Sequence, residues 1–126
     1  MKILSLHVDY INFRPLKKAI KSIPDLSEKE KAGKKIKDAL AILTAIEKGD
    51  SVSETVGELV KNVEDIAKQV KAKNIVLYPY AHLSSNLANP KVAMEILDEA
   101  EKVLKKKKNF KVHKAPFGYY KEFELK

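Results

Sequence analysis

The chain has no cysteine, which removes a disulfide framework and any thiolate metal site. It also has no long apolar run, and nothing in it approaches the ~20 residues a helix needs to span a bilayer. The opening MKILSLHVDY places Ser5, His7 and Asp9 inside its apolar stretch, which argues against a signal peptide. No internal repeat or linker interrupts residues 1–126. The chain therefore reads as one domain, long enough for a real core and too short for two, with the cytoplasm as its default location. Arginine is almost missing, since Arg14 is the only one among 25 basic residues. Acidic residues number 17, so the net charge is +8. Lysine and glutamate enrichment accompanies heat adaptation, which accounts for part of this balance. The functional reading is a partner that carries phosphates, a nucleic acid among them.

What is present is patterned. Residues 2–10 alternate, with Leu4, Leu6 and Val8 on one face and Ser5, His7 and Asp9 on the other, as in a half-buried strand. The lysine-rich 14–34, with Pro15, Pro24 and Gly33, reads as an irregular excursion between strands. DALAILTAIE at 38–47 fits either helix or strand, and its alternating β-branched Ile42, Thr44 and Ile46 favour strand. Ser51 followed by Glu54 predicts a capping box. It opens a helix marked by Val56, Leu59, Val60, Val63, Ile66, Ala67 and Val70. A second helix starts with Asn89 as N-cap and Pro90 in its first turn. Its buried face is Ala93, Ile96, Leu97, Ala100, Val103 and Leu104, and it ends in KKKK at 105–108, beside the negative end of the helix dipole. That lysine run also suits a plain solvated helix end. NIVLY at 74–78 is apolar throughout, as an interior strand would be. Phe110 and Val112 predict another strand, and YYKEFELK the last. The fold class is α/β of mixed α+β character: a single mixed β-sheet of about five to six strands with two main helices packed on it, and a strand–helix–strand crossover from 38–47 to 74–78.

Several residues break these patterns. In the last strand Tyr119, Lys121, Phe123 and Leu125 share one face while Tyr120, Glu122 and Glu124 share the other. The Phe/Leu face must turn to the core, so Lys121 stands where an apolar residue belongs. A buried ammonium is costly unless paired or facing a cavity, and the plain alternative is a stem that snorkels past the sheet edge. His7 and Asp9 share the polar face of the first strand. Together with His82 they offer N and O ligands, but in no recognised metal spacing. YPYAHLSSNLANP, at 78–90, follows the carboxyl end of the apolar strand, where ligands of parallel sheets collect. Its serines lack a G-x-S-x-G elbow and a third residue to orient His82, so a binding loop is the better reading than a serine nucleophile.

Three blocks, ILSLHVDYI, YPYAHLSSNLANPKVAMEIL and KAPFGYYKEFELK, in this order, resemble the N-terminal editing domain of archaeal threonyl-tRNA synthetase. The resemblance covers the chain with weak matching only in 14–37. It implies a D-aminoacyl-tRNA deacylase-like fold, a homodimer, and the rest of a synthetase as partner. It further implies hydrolysis of seryl-tRNA(Thr) at the tRNA 3′ acceptor end, without cofactor, metal or covalent intermediate. Catalytic residues carried over by motif position are Lys121 and His82. Substrate-binding positions are Tyr80, Ala81, Tyr119, Tyr120 and the backbone near Ile46, with His7 and Asp9 as further candidates. The family domain is expected to run a little past the last strand, where an acidic residue also supports the site. The family's ligase core, zinc site and anticodon-binding domain have no counterpart here, so no charging activity is expected. Three other readings stay open: a D-aminoacyl-tRNA deacylase, a basic module that binds tRNA acceptor ends without chemistry, and an interaction domain that dimerises through its sheet edge.

Overall fold

Alternation that stops and restarts shapes the first strand. In the computed structural model, which describes residues 1–126, β1 runs over Lys2–Lys18. Leu6 and Val8 share an apolar cluster with Ile11 and Phe13, so the buried phase changes between residues 8 and 11. The neighbouring β2, Lys34–Ala45, changes phase at the same level, from Ile36 to Ala39. There Asp38 takes a left-handed backbone at φ 46°. The antiparallel register is kept through the change, from Lys2 opposite Ala45 to Phe13 opposite Lys34.

Beyond Phe13, β1 leaves β2 and pairs only with β5, Tyr119–Leu125. Pro15 is tolerated there because its missing N–H falls on a strand with one open side. A register shift between Pro15 and Lys17 is a bulge that leaves Leu16 exposed. Residues 14–18 are therefore strand, contrary to the irregular reading. The excursion is shorter, and it contains a four-residue helix, α1, Glu28–Lys31.

The two long helices follow their periodicity. α2 spans Val52–Val70 and α3 Pro90–Lys105. The α2 residues Leu59, Val60 and Val63 and the α3 residues Leu97, Ala100 and Leu104 form one cluster with Leu40, Ile42, Ile75 and Leu77 of the sheet. Each helix is a crossover between parallel strands. α2 joins β2 to β3, Asn74–Pro79, and α3 joins β3 to β4, Lys111–Lys114. The sheet order is β4-β3-β2-β1-β5, so the mixed class is as expected and the strand count is five.

The other face of the sheet rolls up on itself. β5 and β3 are separated by two strands, a span of ~14 Å in a flat sheet. Yet the ring of Phe123 lies 5.4 Å from that of Tyr78. The β1–β5 ribbon must therefore fold back over β2 and β3, which buries Ala39, Ala41, Leu43, Val76 and Tyr78 without any helix. This closure brings the last strand to the carboxyl ends of β2 and β3.

Candidate active site

Lys121 is the residue that the rolled sheet delivers. Its ammonium donates to the carbonyls of Pro116 at 2.7 Å and Tyr119 at 3.2 Å, and lies 5.1 Å from the centre of the Tyr78 ring. Burial lowers its pKa from 10.5 to about 8, because a low-dielectric surround disfavours the charged form. The same burial pushes the Tyr78 hydroxyl upward. An ammonium has three protons, and two carbonyls leave one to offer outward. The backbone turn that supplies those carbonyls is fixed by Gly118 at φ +80°, where a Cβ would collide with Ile23.

A line of aromatic contacts runs from this cation to His82. Tyr78 meets Tyr80 at 6.3 Å, and Tyr80 meets His82 edge-on at 5.3 Å and Phe123 at 6.1 Å. Tyr80 follows the end of β3 and is held by its N–H to the Thr44 carbonyl at 2.9 Å. The chain then makes a 3₁₀ turn at Ala81–Leu83, which leaves Ala81 and His82 exposed. Ile46, one residue past β2, is buried, and its carbonyl accepts the Ala88 amide at 2.9 Å. Lys121, Tyr80, Ala81, His82 and Ile46 thus gather at one end of the sheet.

The other predicted positions fall elsewhere or do different work. Tyr119 spends its hydroxyl on the Pro24 carbonyl at 2.7 Å, tying the 19–27 segment to β5. Tyr120 points to the outer face, 53% exposed, with the Lys17 ammonium 5.6 Å from its ring. His7 lies opposite Leu40, which lies opposite Ile75 near the amino end of β3, and its Nε2 is 3.2 Å from Asp38. Asp9 is exposed two residues further along, its amide donating to the Lys126 carbonyl. His7 and Asp9 are therefore at the opposite end of the sheet from His82, and the three are not assembled as a metal ligand set. A surface cavity of about 490 Å³ opens between the β1–β5 ribbon and Ala32. Its charged lining is already engaged, Arg14 with Glu122 at 2.6 Å and Glu124 with the Tyr10 hydroxyl at 2.6 Å.

Sequence reasoning missed Glu47. Its carboxylate accepts the Ser84 hydroxyl at 2.6 Å and the Met1 ammonium at 3.0 Å. These bonds, the Ser84 one foremost, hold it below the usual carboxylate range. No local pattern marks it, since Glu47 and Ser84 meet only after the crossover sets β2 beside β3.

A family model described as the archaea-specific editing domain of threonyl-tRNA synthetase matches residues 1–126. The chain belongs to that family. It is similar to the threonine–tRNA ligase of Thermococcus gammatolerans, 44% identical over 127 residues, and to that of Pyrococcus horikoshii, 45% identical. In each case the match covers 99% of this chain and 20% of the relative, so the editing-domain chain spans about a fifth of these relatives' length. A solved structure titled c-Myc DNA unwinding element binding protein shares the fold, with a TM-score of 0.69 at 13% identity, covering 99% of this chain and 91% of that one. No helix of the editing domain is long and apolar enough to cross a membrane.

Proposed function

We propose that this domain hydrolyses the ester of mischarged L-seryl-tRNA(Thr) to serine and free tRNA, sparing threonyl-tRNA(Thr), as the N-terminal proofreading part of a longer synthetase. The need is physical. Serine is threonine less a methyl, and one missing methylene in a pocket is worth only ~1–3 kcal/mol. A synthetic site built for threonine therefore admits serine, and a second site must remove it.

The observation that carries the reading is the Lys121 ammonium, half-buried and held by two carbonyls beside Tyr78, where the strand ends also present Tyr80–His82 and Ile46. Its third proton is free to meet the ester carbonyl or the attacking water. The exposed His82 imidazole lies on the other wall, and the backbone of Tyr80–His82 and Ile46 receives the seryl group. Water adds to the acyl carbon, the ribose oxygen leaves with a proton, and no metal or acyl-enzyme takes part. The reading takes the domain as a cytoplasmic homodimer acting on the tRNA(Thr) 3′ end, with exposed Leu4, Leu16 and Phe123 as apolar surface for pairing.

Single-turnover deacylation tests it. The domain should clear seryl-tRNA(Thr) and leave threonyl-tRNA(Thr) intact. Lys121→Ala should lose about 10²-fold or more, the scale of a removed electrostatic or proton-transferring group, and His82→Ala should also slow. Undiminished rates in both variants would sink the assignment.

A further inference from the structure

We propose that Glu47 is a positioning residue for this hydrolysis, acting through Ser84 to fix the turn that carries His82. The inference rests on the hydrolase reading above. His82 itself makes no hydrogen bond that would fix its place; its ring only leans on Tyr80 at 5.3 Å. Where the imidazole sits is therefore decided by the backbone between Tyr80 and Ala88.

That backbone is pinned at its two ends. At one end the Tyr80 amide donates to Thr44 at 2.9 Å. At the other, Lys48 donates to Asn86 at 3.0 Å, Ala88 donates to Ile46 at 2.9 Å, and Glu47 pairs with Leu87. Between these ends Leu83 packs against the apolar cluster of the rolled side, and the polar tie to the rest of the fold is the Ser84 hydroxyl donating to Glu47 Oε2 at 2.6 Å. A hydroxyl–carboxylate bond this short is charge-assisted and stronger than a neutral one. The same Ser84 oxygen accepts the Asn86 amide at 3.0 Å, and the Ser84 amide closes the 3₁₀ turn onto Ala81 at 3.2 Å. Ser84 is two residues from His82, so releasing it removes the polar anchor of the turn and leaves only the apolar packing of Leu83.

Glu47 is held in turn. Its amide donates to Asp50 at 2.8 Å, and its Oε1 meets the Met1 ammonium that Asp50 also contacts at 2.8 Å. The carboxylate is thus a fixed post beside Ile46, not a mobile surface charge. A misplacement of about 1 Å at a reacting group costs on the order of 10²-fold, so a post that removes such slack belongs to the machinery without touching substrate.

The test uses Glu47→Ala, Ser84→Ala, the double variant and Ser84→Thr, which keeps the hydroxyl. Each is assayed in single-turnover deacylation of seryl-tRNA(Thr), and the His82 ring is followed by NMR. Each single alanine variant should lower the saturating rate roughly tenfold, with the half-saturating concentration nearly unchanged. The double variant should lose no more than the worse single one, and Ser84→Thr should recover most of the rate. The His82 ring signals should shift and broaden in the alanine variants, while the methyls of Val63 and Leu97 stay put. Additive losses, or moved ring signals with an unchanged rate, would overturn the positioning role. Unmoved ring signals would overturn it whatever the activity. If the unmodified domain cleaves no seryl ester, the hydrolase reading fails, and Glu47 loses its catalytic purpose even where the ring signals show the clamp.

Discussion

Lys121 occupies a strand position whose neighbours on the same face, Phe123 and Leu125, are apolar, and burial brings its pKa from 10.5 to about 8. The unfolded chain keeps that proton to about 10.4. Between about 8 and 10.5 the unfolded state thus binds more protons than the folded one, and stability contributed by this residue rises with pH across the window. Below it the full cost of the buried ammonium is present. Lys121→Met should therefore stabilise the domain at pH 7 by on the order of 1–3 kcal/mol, less whatever the Pro116 and Tyr119 carbonyls return. The advantage should vanish by about pH 10.5. Urea unfolding of both proteins at pH 7 and pH 10 measures it, and a gain that does not shrink with pH would mean the ammonium is already well solvated. The variant should be a dead deacylase, a trade of activity for stability familiar at working sites. The misfit of Lys121 was legible in the alternation of its strand. Its carbonyl acceptors were not, because they depend on how the Gly118 turn bends the chain back onto its own strand.

Helix ends show where reading by element succeeded and where it stopped. Asn89 and Pro90 were placed correctly, and the Asn89 side chain accepts the Lys91 amide at 2.9 Å. Ser51 does stand at the N-cap of α2, but its side chain makes no capping bond, so the capping box expected with Glu54 does not form. The box that exists is Ser27 with Glu30, on the four-residue α1, inside a segment whose lysines and prolines give no helical period. Asn89→Ala should then cost about 1 kcal/mol, as a working cap does, and Ser51→Ala less than about 0.5. Denaturant midpoints of the two variants decide it, and equal losses would show that Ser51 caps in solution. The strand misread at 14–18 has a similar cause. Pro15 and the bulge before Lys17 erase the alternation, although pairing with β5 continues. Local pattern reports a residue's neighbours in sequence, and here the partner is about a hundred residues away.

At the scale of the whole molecule two apolar layers meet along β2, whose Leu40 and Ile42 face the helices while Ala39, Ala41 and Leu43 face the rolled side. The helical layer was legible from period and caps. The rolled layer was not, since nothing local says that β5 returns to β3, and the catalytic reading of Lys121 depends on that return. Phe123 is the test of it. The residue is 41% exposed, stands opposite Phe13 on β1, and touches both Tyr78 and Tyr80. Phe123→Ala should cost about 1–2 kcal/mol, below the 3–5 typical of a fully buried ring. The loss should be local, because the closure rests on few contacts and opens without the helices. Amide exchange in β5 should accelerate while that of Leu59 and Leu97 holds, and seryl-tRNA(Thr) deacylation should fall because β5 carries Lys121 two residues away. Equal acceleration in β5 and in the helices would instead mean that the two layers unfold as one, with the site no more mobile than the core beneath it.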